Sequence, residues 1–244
     1  MGIVRERATA HGLPVWVRHE HLARYRFAAG YVGGLLVVDC ASGDGTGSAL
    51  FAETACGVQA FDVSAEAVET AARDHPAANL TFAVGDATNL RLPDASVDVF
   101  ISLETIEHVP NDRACVREAA RVLKPGGLYI CSTPDRTVCN PGTTIDDRPF
   151  NRFHIREYSR AEFTALLGAH FPKVEMFGQN PRSLRRTRFV GRLGRVLPFR
   201  GAVKLNQVLK LPRFLTDELE HHAVMPADPA KAWEYLVAVC RKPE

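Results

Sequence analysis

Between residues 37 and 52 the chain reads VVDCASGDGTGSALFA: an apolar run, one acid, then a loop of small residues. A loop of this kind after a strand and before a helix brings backbone N–H groups close to a ligand. The residue types narrow which ligand. A phosphate-cradling loop ends in Gly-Lys-Ser/Thr, and here Gly47 is followed by Ser48 with no lysine. A dinucleotide fingerprint would start at Gly43 and Gly45, but its third glycine position holds Ser48. Asp39, four residues ahead of Gly43, would then face a pyrophosphate across a tight turn, like charge against like. No tyrosine is followed four residues on by the lysine of a short-chain dehydrogenase. A ligand with a cationic amino-acid end and no phosphate turns the same carboxylate into an attraction.

Other chemistry-bearing residues recur after later apolar runs. Asp62 lies 23 residues beyond Asp39, where a carboxylate can accept both hydroxyls of a ribose. Asp86 stands in VGDAT, and His108 closes SLETIEH, residues 102–108. His154 lies in NRFHIREYS, after a Pro-containing loop. An imidazole in either place could take a proton from an acceptor group near neutral pH.

The elements that must position these residues are short runs rich in Val, Ile and Phe, alternating with helical patterns, which predicts an α/β fold with a mostly parallel sheet. The spacing predicts strands at 35–40, 58–63, 80–84, 97–103, 128–133, 173–178 and 234–240. Helix starts are marked by Ser64, by Asn111 or Asp112, and by the capping box SRAE at 159–162. The KPGG stretch at 124–127 ends the helix before it. HEHLARYRFAAGYV, residues 19–32, reads as an amphipathic helix packed outside the first strand. Six cysteines without a CxxC pair read as reduced structural thiols.

In this order the motifs resemble those of class I S-adenosylmethionine-dependent methyltransferases, over roughly residues 20–178 plus the last strand. The D-x-G-x-G series is matched by Asp39, Ala41, Gly43 and Gly45, with Ala41 in place of the usual first glycine. The resemblance implies a Rossmann-like seven-stranded, mostly parallel sheet and S-adenosylmethionine as cofactor, released as S-adenosylhomocysteine. It places Ser42 and Val63 at the cofactor, Asp86 near the adenine amine and Ala87 beside its ring. Leu103, in the segment after the fourth strand, would line the methionine end, and Tyr25 and Arg26 would reach the cofactor carboxylate. His108 and His154 are the candidate catalytic residues, with Glu107, Asp135, Arg156 and Tyr158 as acceptor contacts. FHIREYS resembles a segment of enzymes that modify sugars and natural products, including antibiotics. No metal is expected, the adjacent acids Asp146 and Asp147 being read as solvated.

The chain is expected to be one methyltransferase domain over 1–244: a helical segment at 1–34, the cofactor-binding core at 35–178, an insertion at 179–228 and the last strand at 229–244. The insertion is basic, with ten Lys or Arg and no acid between 181 and 216, although the whole chain carries only +2. Its basic and apolar residues interleave as an amphipathic cap or dimer contact; an acidic acceptor, a membrane surface and RNA remain alternatives. No recognised RNA-binding module precedes the core, so a small-molecule acceptor is expected and no nucleic acid. No run reaches the roughly 18–20 apolar residues of a membrane span, and the N-terminus lacks a signal core, so a cytoplasmic protein is expected. The acceptor would carry a hydroxyl or amino group on a sugar-containing or other secondary metabolite. The alternatives are a quinone or lipid phenol methylated at a membrane surface, an RNA, and a non-catalytic binding protein.

Overall fold

The computed structural model describes residues 15–194 and 222–244. Its centre is a sheet in the order β3-β2-β1-β4-β5-β8-β6-β7. Five strands are mutually parallel: β1 (Leu36–Cys40), β2 (Gly57–Asp62), β3 (Leu80–Val84), β4 (Val97–Ser102) and β5 (Leu123–Pro134). β8 (Lys231–Arg241) inserts antiparallel between β5 and β6 (Lys173–Ser183). All seven expected strands are present. An eighth, β7 (Val224–Pro226), pairs with Phe177, Gly178 and Gln179 of β6 at the sheet edge. Three residues are too few to show the period-2 pattern by which strands are read from sequence.

The central strands β1, β4, β5 and β8 are buried on both faces, so their alternate side chains feed two cores. Val37, Val99, Ile101 and Ile130 join Ala28, Val32 and Phe51 on one side. Val38, Cys40, Phe100 and Tyr129 join Val116, Phe163 and Leu167 on the other. The first side is covered by α1 (Val15–Ala29) and α2 (Thr46–Ala52), the second by α4 (Asp112–Val122) and α6 (Arg160–Gly168). All six cysteines are free, and Cys40, Cys115, Cys131 and Cys240 are buried.

The cap signals act as the sequence suggests. Ser64 accepts from Ala67 N at the start of α3 (Ala65–Asp74), and Asn111 accepts from Ala114 N at the start of α4. Ser159 and Glu162 form both halves of the capping box of α6. KPGG does end α4, but it is taken into β5, which is longer than expected: Leu123 pairs with Val97 before the register shifts at Val99. β6 likewise runs on to Ser183 and leads into α7 (Leu184–Gly194), so the departure from the core begins later than residue 179. The rest of the basic stretch, 195–221, lies outside the described residues, as do residues 1–14.

Strand order reverses between β1, which continues outward to β2 and β3, and β4, which continues to β5. Open α/β sheets bind ligands at the carboxyl ends of the strands flanking such a reversal. Asp39, Asp62, Ser102 and Thr133 all stand at that edge.

Candidate functional site

The loop leaving β1 is bent three times into the left-handed region, at Ala41 (φ 65°), Gly43 (φ 57°) and Gly45 (φ 81°). Ala41 N and Ser42 N donate to Phe61 O at 2.7 and 3.0 Å, clamping the loop to the end of β2. Gly45 needs its glycine twice over: besides its φ, a Cβ there would sit 2.8 Å from Ala71 Cβ and 2.9 Å from the Phe82 ring. A Cβ on Gly43 would meet nothing within 4 Å, so this part of the loop borders open space. At Gly47, already inside α2, a Cβ would lie 1.9 Å from Tyr25, whose ring packs directly on the helix backbone. Ala41 adopts a conformation that costs an L-residue roughly 1–2 kcal/mol, which is why glycine is usual at its place.

Asp39 is 1% exposed and accepts from Ser48 Oγ at 2.5 Å. Burial pushes its carboxyl up to about 7, against the Ser48 hydrogen bond and with a further push from Asp62. Among the described residues no Lys or Arg pairs with it. Asp62 is held in plane by two backbone donors, Gly43 N at 3.1 Å and Ser64 N at 2.9 Å, which use one direction on each oxygen. Tyr25 senses Asp39, Asp44, Asp62 and Arg24; burial, more than these charges, raises its phenol far above the usual range.

Arg24, not Arg26, is the arginine that α1 turns inward. It is fully buried with its guanidinium carbon 4.3 Å from the centre of the Tyr235 ring. Its Nη1 donates to Gln179 Oε1 and its Nε lies 3.8 Å from Glu104 Oε1. Nε and Nη2 have no hydrogen-bond partner. Arg26 is exposed. A buried acid lacking a cation and a buried guanidinium with two nitrogens left without a hydrogen bond together complement an amino-acid zwitterion.

Beyond β4 the chain makes a tight turn. Glu104 is held at φ 51° by Ser132, which takes its N–H and donates to its carboxylate at 2.7 Å. A short 3-10 turn, Ile106–His108, then presents Glu107 and His108. Glu107 is 1% exposed and receives a hydrogen bond from Thr133 Oγ1 at 3.1 Å; burial, with Glu104 nearby, raises its carboxyl well above the carboxylate range.

His154 arrives from the loop after β5, which is tethered to this turn by Ile155 N and Arg156 N donating to Glu107 O at 2.8 and 3.3 Å. The two imidazoles meet edge to face, 4.8 Å between centres. His108 Nδ1 lies 3.0 Å from Phe153 O, a carbonyl that can only accept, so Nδ1 carries the proton. His154 Nδ1 faces Glu157 Oε1 at 2.6 Å, and its Nε2 faces Asn151 Nδ2 at 2.9 Å. Phe153 N donates to Asn151 Oδ1, which fixes the amide and makes Nδ2 the donor. Both rings therefore carry their acceptor lone pair on Nε2.

The remaining expected residues fall into three groups. Ser42 and Leu103 are buried at the strand ends, and Ser42 Oγ has no partner. Val63 is exposed beside Asp62, Ala87 is half-buried, and Asp86 is exposed and accepts from Thr88 N and Oγ1. Asp135, Arg156 and Tyr158 have their polar atoms engaged in holding the fold. Asp135 caps the short helix α5 (Arg136–Cys139) through Thr137, and burial brings its carboxyl to about 6. Arg156 pairs with Asp112, and Tyr158 OH donates to the same carboxylate at 2.8 Å, pinning the His154 loop to α4. Asp146 and Asp147 are exposed, and Asp147 closes a turn with Thr144. Sequence reasoning missed Arg24, Glu104 and Asn151; Glu157, three residues after His154, is read from the sequence only as a polar group around the acceptor, and the structure puts it against His154 Nδ1.

The reversing parallel sheet with an antiparallel β8 between β5 and β6, and the small-residue loop at its switch point, give the chain the fold of class I S-adenosylmethionine-dependent methyltransferases. S-adenosylmethionine is the cofactor of that class. Residues 38–131 match the family described as "Methyltransferase domain". A relative from Mycolicibacterium smegmatis, named "Probable S-adenosylmethionine-dependent methyltransferase", is 37% identical over 152 residues, 62% of this chain and 57% of its own length. A ubiquinone/menaquinone biosynthesis C-methyltransferase of Caulobacter vibrioides is 34% identical over 119 residues, 44% of this chain and 47% of its own. The chain thus spans about half the length of these relatives. Among solved structures, the N-methyltransferase NodS of Bradyrhizobium japonicum, in complex with S-adenosyl-L-homocysteine, superposes with a TM-score of 0.58. That likeness covers 96% of this chain and 90% of NodS at 13% identity, a likeness of fold.

Proposed function

We propose that the chain transfers a methyl group from S-adenosylmethionine to a hydroxyl of a small molecule, of the sugar-containing or other secondary-metabolite kind. Bound, the cofactor supplies an electrophilic methyl on sulfur. Asp39 receives its ammonium, Arg24 its carboxylate and Asp62 its ribose hydroxyls, with Gly43 leaving room for the chain between them. Tyr25, seated on Gly47, closes the site from the α1 side.

The observation that carries the hydroxyl reading is the pair of imidazoles at the carboxyl end of β4, each with its lone pair on Nε2. A neutral alcohol is a weak nucleophile, and methyl transfer to it gains from a base within hydrogen-bond reach. Glu157 accepts from His154 Nδ1 and orients the ring, as a carboxylate does behind a catalytic histidine. In this base reading the hydroxyl proton passes to a histidine Nε2 as the oxygen–methyl bond forms. An amine that binds uncharged needs less of this help, so the cluster favours oxygen over nitrogen.

The Caulobacter relative is by name a C-methyltransferase of quinone biosynthesis, which makes phenols a second acceptor class. Methyl attack from the carbon of a phenol also needs its proton removed. No helix among the described residues is long and apolar enough to cross a membrane. The test is a panel of sugars, other alcohols, phenols and amines offered with labelled cofactor, the methyl located by mass spectrometry. Methylation of amines alone would sink the hydroxyl reading.

A further inference from the structure

We propose that Glu107, His108 and His154 form a site for one divalent transition cation of the Zn2+ class, which holds the acceptor oxygen. The binding claim stands on the geometry alone; the role in catalysis rests on the hydroxyl reading above.

One ligand atom from each of the three residues lies within 4.8 Å of the other two. Bonds of about 2.0–2.2 Å would bring tetrahedral ligands to roughly 3.3–3.6 Å from one another. Closure therefore takes at most about 1.2–1.5 Å between ligand atoms. The frame for that closure is rigid, because the loop bearing His154 is hydrogen-bonded through Ile155 N and Arg156 N to Glu107 O.

The surroundings are those that ligating histidines need. Such a ring gives one nitrogen to the metal and donates from the other to a carbonyl or carboxylate, which fixes the tautomer. His108 does this through Nδ1 to Phe153 O, and His154 through Nδ1 to Glu157 Oε1. Asn151 Nδ2, donating to His154 Nε2, occupies the direction a cation would take, so the cation replaces that hydrogen bond.

Glu107 supplies the argument a pair of basic histidines does not. Its carboxyl is 1% exposed, lies beside both imidazoles, is held by Thr133 Oγ1 at 3.1 Å and is paired with no Lys or Arg among the described residues. Two imidazoles and one carboxylate suit Zn2+, Co2+ or Fe2+ better than Mg2+ or Ca2+, which prefer oxygen ligands. Three protein ligands leave a position open, the pattern of catalytic rather than structural sites.

An alcohol at that open position loses its proton more readily. The O–H bond breaks with its proton going to solvent water, the O–CH3 bond forms, and the S–CH3 bond breaks with its electron pair staying on sulfur. His154 then acts as a ligand and not as the base.

The experiment uses untagged full-length chain, stripped with chelator and titrated with Co2+ by visible absorption and with Zn2+ by calorimetry. One equivalent should bind, with a d–d spectrum of nitrogen and oxygen ligands. Glu107→Gln and His154→Ala should each weaken binding at least tenfold, and Glu157→Gln by about tenfold through its outer position. Unchanged S-adenosylmethionine affinity in the variants shows that they fold. No saturable binding by the native chain, or equal binding by all variants, overturns the site. Turnover that survives chelation in a chain lacking bound metal overturns the catalytic role and leaves histidine as base. Tight cation binding in a chain that methylates no hydroxyl would confirm the site and refute the acceptor reading.

Discussion

With Asp39 as the proposed partner of the cofactor's ammonium, cofactor binding is coupled to pH, and the size of the coupling follows from the burial of Asp39. Its carboxyl stands at about 7 in the ligand-free protein against an ordinary 3.8. The native state therefore holds a proton that the unfolded chain has lost, and stability falls as pH rises through that interval. At about 1.36 kcal/mol per unit, the loss is on the order of 4 kcal/mol, complete near pH 8. An ammonium that needs the ionised carboxylate must drive the proton off, so lowering pH from 7 to 5.5 should weaken binding about tenfold. Over that range the cofactor amine, an α-amino group of pKa about 7.7–8.0, keeps its charge. The facing groups are Ser48, Asp62 and the Tyr25 phenol, and Tyr25 does not titrate here. Calorimetry in two buffers of different ionisation enthalpy should show nearly one proton released per cofactor at pH 5.5–6. Asp39→Asn should abolish that release, bind weakly at every pH, and raise the melting temperature of the ligand-free protein at pH 8. A native chain with pH-independent affinity, or a variant that keeps the same slope, would refute the reasoning.

Three further outcomes can be checked with the same material. Asp62→Ala should weaken S-adenosylmethionine at least tenfold in calorimetry, because it removes the proposed ribose acceptor and the clamp on Gly43 N. Ala41→Gly should leave cofactor affinity intact and change stability by less than about 1 kcal/mol, since relief of a φ of 65° offsets the added freedom of the unfolded chain; a loss above 2 kcal/mol by chemical denaturation would mean the methyl packs usefully. His154→Ala should cut turnover on a hydroxyl acceptor by at least a hundredfold with cofactor affinity nearly unchanged, and loss of both would point to a folding defect instead.

The loop after β1 and the acids at the strand ends were legible because they are written in backbone chemistry. Positive φ at Gly43 and Gly45, and acids at the ends of β1 and β2, leave marks in residue type and spacing that survive without coordinates. Ala41 shows the limit: its methyl hid a left-handed turn that only the dihedral reveals. Side-chain direction was less legible. On α1 the buried set is Glu20, Ala23, Arg24 and Ala28, so polar residues share the inward face, and no apolar stripe announces that Arg24 and not Arg26 points inward. Glu20 is there because it accepts from Asn180 Nδ2 and Tyr235 OH, partners about 160 and 215 positions away. No local pattern encodes such pairings. For the same reason Arg156 and Tyr158 read as acceptor contacts, when Asp112, 44 and 46 residues earlier, receives both.

What joins the two halves of the site is the five-residue stretch Glu104 to His108. Glu104 faces the Arg24 guanidinium at 3.8 Å, and three residues later Glu107 holds the His154 loop by its backbone oxygen. The strained φ of Glu104 is what starts this turn directly after β4 instead of letting the strand run on. A displacement of Arg24 by a bound carboxylate would thus be felt at Glu104, and through the turn at the imidazoles. Glu104→Gly would free that dihedral and remove the carboxylate together, whereas Glu104→Gln keeps most of the geometry and removes only the charge. Loss of acceptor turnover in the glycine variant, with near-native turnover in the glutamine variant, would identify the backbone turn as the link. Equal losses would assign it to the charge.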